Sequence, residues 1–222
     1  CDPRPAKEHQ LSGADPQPLP AQGRYALIAH AFQNNQLALG GSQFRKFVTD
    51  TVGVALLASN VAGPLTLTAT TGDVTESGAV NVAETTTITA TAGNINLNNS
   101  NNSFGDLVLS GANVTVKENG PTNFGATTAT GNFTVTSTGA ITDSGLIKVT
   151  GTTSVTSNGN SINLDGTGAG DDFTGNLILL KGTDVTIKDK VLDTNLLAVT
   201  ATGALTVTST LGSITHTSGN IN

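Results

Sequence analysis

The chain has 222 residues, a net charge of −6, 12% charged and 4% aromatic residues, and neither Met nor Trp. An acidic balance of this kind excludes nucleic acid and an anionic membrane surface as electrostatic partners, because both need a Lys/Arg footprint. So few aromatics argue against a compact enzyme core and for a thin core of Val, Ile, Leu, Ala and Thr. The single cysteine, Cys1, leaves nothing to form an internal disulfide.

Residues 1–23 are rich in proline and polar residues and read as an extended tether. A cysteine in first position resembles the start of a processed lipoprotein, so Cys1 is a candidate lipidation site. It offers the sequence's one route to a membrane, since no apolar run reaches the ~18–20 residues of a span.

Residues 24–64 are more apolar. After Gly40-Gly41, Ser42 can cap a helix. Phe44, Phe47, Val48, Val52 and Ala55 then follow at the spacing of one helical face, and Gly63-Pro64 ends the segment. Two readings stand: a cap over the first rung of a solenoid, or a segment that docks on another subunit.

From Leu65 onward the chain repeats. LTLTATTGDVTESGAVNV begins at Leu65, FTVTSTGAITDSGLIKV at Phe133 and LTVTSTLGSITHTSGNIN at Leu205. The marker glycines Gly72, Gly139 and Gly212 set a repeat of about 67–73 residues. Phe104 and Phe173 form a second pair at a similar separation. Within each unit, short runs alternate apolar and Thr residues at period two, the strand signature, and Gly, Asn, Asp and Ser separate them. The predicted fold is an all-β parallel solenoid with an apolar, partly helical N-terminal cap. Each unit is expected to make about three rungs of ~22 residues. Seven such rungs make a shaft of about 34 Å. Asn94, Asn96, Asn160 and Asn163 are candidate members of corner ladders.

The segment GAITDSGLIKVTGTTSVTSNGNSINLDG from Gly139, with DLVLSGANVTV from Asp106, resembles the repeats of filamentous haemagglutinin-like bacterial adhesins. The resemblance covers about residues 65–222. It implies a right-handed parallel β-helix, export to the cell surface and an adhesive, fibrous role. Residues 1–64 differ from that family's secretion domain, which is itself a β-helix.

Few residues suggest chemistry. Glu76 and Asp143 hold equivalent places in TESG and TDSG, where the third copy has Thr217, a pattern that reads as a solvated turn. Asp165, Asp171 and Asp172 lie in DGTGAGDDF and are candidate calcium ligands, although a solvated loop also accounts for them. His9, His30 and His216 are scattered, with no nucleophile in sequence reach. No catalytic residue and no cofactor is expected. A carbohydrate-active β-helix would need aromatic platforms, whereas Phe104, Phe124, Phe133 and Phe173 sit at core-like positions. Ice binding on Thr-x-Thr files is a further alternative.

The functional expectation is an extracellular structural or adhesive element that associates head to tail. Phe44, Phe47, Val48 and Val52 would lie on the donated segment, and Leu205, Ile214 and Ile221 on the receiving rung. A fragment of a longer adhesin that binds surface glycans is the alternative.

Overall fold

The computed structural model describes residues 36–37, 46–166, 170–191 and 193–222. They form short strands of two to six residues, and every named strand pairing is parallel. Alternating sequence becomes alternating burial: in Leu65–Ala69 the odd positions are buried and the threonines between them half-buried. A strand this short cannot stand alone. It pairs instead with its counterpart one turn away, as Leu65–Ala69 does with Thr86–Ala90. The turns and remaining strands of the rung supply the long connection that a parallel pair requires.

The result is a three-sided parallel β-solenoid of about eight turns. One rung runs through Leu65–Ala69, Val74–Glu76 and Val80–Val82 on successive sides. The next runs through Thr86–Ala90, Ile95–Leu97 and Ser103–Phe104. At ~4.8 Å per rung, eight turns span about 38 Å.

Rung size and sequence repeat differ, and the difference organises the molecule. Val74 pairs with Ile95, Ile95 with Val114 and Val114 with Phe133. These steps are shorter than a third of the sequence repeat. Leu65–Ala69, Phe133–Ser137 and Leu205–Ser209 open the three sequence copies and lie ten strands apart. Ten strands are three turns and one third. Phe133–Ser137 therefore lies in a different sheet from Leu65–Ala69, whereas Leu205–Ser209 lies in the same sheet as Leu65–Ala69.

The shift occurs at two six-residue strands, Asp106–Gly111 and Leu177–Gly182. Asp106–Gly111 carries two strands above it, Thr122–Phe124 over its first half and Thr127–Ala129 over its second. Leu177–Gly182 does the same with Asp193–Leu196 and Val199–Ala201. The corner slides along the side, and Gly125-Ala126 or Leu197-Ala198 makes the new bend.

The helix expected over residues 44–55 is absent from the described part of that segment. Lys46–Asp50 is a strand on Leu65–Ala69, and Val54–Leu56 is a strand on Val74–Glu76. Lys46–Asp50 lies ten strands before Val114–Glu118 and is its counterpart. The helical spacing of Phe47, Val48 and Val52 is a coincidence of two short strands joined by a turn. Val48 is buried while Val52, in the turn, is 59% exposed. The solenoid thus takes in residues 46–64, which the sequence reading assigned to a cap. Phe44 and the tether lie outside the described residues.

One corner carries a side-chain ladder. Asn94 donates its N–H and Nδ2 to Asp73 Oδ1, at 2.7 and 3.1 Å. Asn113 does the same to Asn94, at 3.1 and 2.8 Å, and the Asn132 N–H donates to Asn113 at 2.9 Å. Thr152 completes the file on Asn132. Asn94 was an expected member. Asn160 instead donates to the Thr138 carbonyl, and Asn96 and Asn163 lie within strands. In the same corner Gly72 and Gly93 pass so close to the rung below that a Cβ would strike the carbonyls of Val52 and Gly72.

The core is one file of apolar side chains. The Phe124 and Phe133 rings meet edge to face with centroids 5.2 Å apart. Thr86, Thr127 and Thr153 also point inward, with buried hydroxyls that have no partner. We expect Phe124→Ala to cost about 3–5 kcal/mol of unfolding free energy in a urea melt. Thr153→Val keeps the shape and removes an unpaired hydroxyl, so the same melt should show stability unchanged or raised by about 1 kcal/mol.

Candidate functional site

The sliding corner leaves backbone donors without a strand to bond, and side-chain carboxylates take them. Ser103–Phe104 ends its ladder on Val80–Val82. The Phe104 N–H therefore donates to Glu118 Oε1 at 2.7 Å, and Thr122 Oγ1 donates to Glu118 Oε2 at 2.8 Å. Glu118 is only 2% exposed. Burial pushes its carboxyl up to about 7, against the opposing effect of these bonds. Asn102, fully buried, accepts from the Val80 N–H at 2.8 Å. Its Nδ2 donates to Glu76 Oε1 at 2.8 Å and to the Lys117 carbonyl at 3.2 Å. Glu76 also accepts from the Asn99 N–H, and burial raises its carboxyl above the usual range.

The second unit repeats this corner with more acid. Asp189 takes the place of Glu118: it accepts from the Phe173 N–H at 3.2 Å and from Thr194 Oγ1 at 2.9 Å. Asp143 takes the place of Glu76 and accepts from the Gly166 N–H at 3.4 Å. Asp171 takes the place of Asn102. It is fully buried and accepts from the Ile147 N–H at 2.9 Å. Burial and then the charges of Asp143, Asp189 and Asp165 push its carboxyl up to about 7, against the bond from Ile147. Asp143 and Asp189 are raised as well, chiefly by burial. Such a corner can hold protons near neutral pH.

Two sequence readings change here. Glu76 and Asp143 are not solvated turn residues, because each binds a backbone N–H of a loop one rung above. The aspartates of DGTGAGDDF do not act together: Asp165 is exposed, Asp171 is buried, and Asp172 pairs with Lys148 Nζ at 3.3 Å. Among the described residues no group of three or more His, Cys, Asp or Glu side chains is placed to hold a metal. His216 is exposed, with its Nε2 3.1 Å from the Leu197 carbonyl. Of the expected assembly residues, Leu205 packs partly on the core, whereas Ile214 and Ile221 are 47% and 44% exposed. Cys1 and Phe44 lie outside the described residues, and Phe47 lies in the strand Lys46–Asp50. Glu118, Asp189 and Asn102 were not singled out from sequence. For Glu118 and Asp189 the signal was an acid closing the same strand in each unit: FVTD, VTVKE and VTIKD.

A recess of about 300 Å³ beside this corner is lined by Glu76, Ser77, Asn96, Asn98 and Asn99. The residues that line it are all polar, and none is aromatic.

The family described as Repeats of unknown function (DUF5649) matches residues 46–110 and 111–180. The chain belongs to this family. Its two matched DUF5649 units begin at Lys46 and Gly111, so the first of them opens inside the segment that sequence alone read as a cap. No curated protein and no solved structure matches the chain.

Glu118 supplies a pH test of the DUF5649 corner. Its folded carboxyl is raised above the ordinary value of 4.5, so the folded state holds its proton more tightly than the unfolded chain does. The stabilisation is complete below pH 4.5 and is lost as pH rises to about 7. Glu76, Asp143, Asp171 and Asp189 shift in the same direction. Urea unfolding should thus show stability falling from pH 4.5 to 7. Glu118→Gln should flatten part of that fall, and an unaltered slope would remove Glu118 from the account.

Proposed function

We propose that the chain is a structural and adhesive shaft at the bacterial cell surface, without catalytic activity, that associates head to tail through its end rungs. The observation that carries this reading is that every named strand pairing is parallel, so that each rung offers the next an edge of its own geometry. Leu205–Ser209 and Ser213–His216 are each paired with the strand beneath. Around them Leu211, Ile214 and Ile221 are 66%, 47% and 44% exposed. A parallel rung edge with apolar side chains beside it is completed by another rung of the same geometry. Val48 is buried inside such a rung and so takes no part in docking. The neutral Thr/Asn/Gly surface and the resemblance to filamentous adhesin repeats support a surface location. Contacts of this kind do not close on themselves, so they propagate as filaments.

A second reading is glycan binding along the shaft. The recess at Glu76 and Asn96–Asn99 favours it, since carboxylates and amides suit sugar hydroxyls.

Negative-stain electron microscopy at micromolar concentration tests the first reading. Uniform filaments are expected from this chain. The double variant Leu211→Asp with Ile214→Asp should give single rods with unchanged circular dichroism, because both side chains are already exposed. Single rods from the unaltered chain would rule out self-assembly and leave the glycan reading to be tested.

A further inference from the structure

Asn102 and Asp171 occupy the same place in successive units, and their carbonyls make the same backbone contact. The Asn102 carbonyl accepts from the Asn119 N–H at 2.8 Å, as the Asp171 carbonyl accepts from the Lys190 N–H at 2.8 Å. Each side chain accepts the first N–H of a strand below: Val80 for Asn102, Ile147 for Asp171. The difference lies in the other terminal atom. In Asn102 it is an amide nitrogen, which donates to Glu76 Oε1 and the Lys117 carbonyl. In Asp171 it is Oδ2, fully buried and without a hydrogen-bond partner. The counterparts of its two acceptors are Asp143 and the carbonyl of Lys188. A carboxylate oxygen cannot donate to either, and a protonated carboxyl can.

We propose that Asp171 is a proton-operated joint: as a neutral acid it copies the amide of Asn102 and pins Ile147, and as a carboxylate it loosens that hold. The groups around it act in the same sense. Asp143 closes the strand Ile141–Asp143, Asp165 follows Ile162–Leu164, and Asp189 is its bridge partner on Val185–Asp189. All three raise the cost of its charge. Lys148, on the neighbouring strand, pairs with Asp172, while Lys188 and Lys190 bond Asp171 through their backbones. The same joint in the first unit, built on Asn102, has no proton to lose. One family fold thus holds an amide joint and an acid joint at equivalent corners of a single shaft.

The sign follows from linkage. Asp171 holds its proton when pinned, up to about pH 7, and releases it near the ordinary value of 3.8 when freed. Its hold is therefore complete at low pH, weakens between about 4 and 7, and is constant above that.

Amide hydrogen exchange by NMR tests this in the full 222-residue chain. After correction for intrinsic exchange, protection of the Ile147 amide should fall by up to roughly tenfold per pH unit from pH 5 to 7. The Val80 amide, held by Asn102, is the internal control and should fall distinctly less, by no more than the fall that Glu76 and Glu118 bring. Asp171→Asn should make Ile147 behave like Val80. Level protection at Ile147 in the unaltered chain would overturn the proposal. So would the same fall in Asp171→Asn, or an Asp171 carboxyl that titrates near 4.

Discussion

Every rung of this solenoid must hand its backbone donors and acceptors to the rungs above and below, because inside a narrow shaft there is no water to take them. Where strands stack in simple register the handover is automatic, as between Leu65–Ala69 and Thr86–Ala90. Where a corner slides, it fails, and a side chain has to complete the bond. Glu118, Asp189, Asn102 and Asp171 stand at those failures. Their burial follows from the backbone's need, and the raised proton affinity of the three acids follows from their burial.

The same constraint explains the composition. A shaft three short strands around has little interior, so Val, Ile, Leu and Ala fill most of it, and three phenylalanines are among its largest fully buried side chains. Much of the surface is half-buried Thr, Ser and Asn, whose side chains can bond up and down the file, as the ladder from Asp73 to Thr152 does. Such ladders rigidify the shaft with little charge.

The phase shift has a consequence for display. The first and second units open in different sheets, so equivalent features of these two copies lie on different sides. The loop at Asn98–Asn102 and its counterpart that begins at Asp165 leave different faces.

Sequence alone was sufficient for the all-β repeat, for parallel stacking and for much of the core. Period-two alternation in LTLTA, TTITA and FTVTS is a direct image of which side chain points inward, so Leu65, Leu67 and Ile88 were legible as core residues from the pattern itself. Local spacing misled at Phe47, Val48 and Val52, where two strands and a turn happen to mimic a helical face. LALG from Leu37 and FVTD from Phe47, set beside LVLSG and VTVKE, carried the true signal. The rung size was not legible, because the repeat length divides as readily into three turns as into three and a third. Only tertiary pairing chose between them, by laying two strands over Asp106–Gly111. It alone also revealed that Asn102 and Asp171, one repeat apart in the chain, fill the same buried place in successive units. Sequence periodicity reports which way each side chain faces, while the environment above and below a residue exists only once its neighbouring rungs are in place.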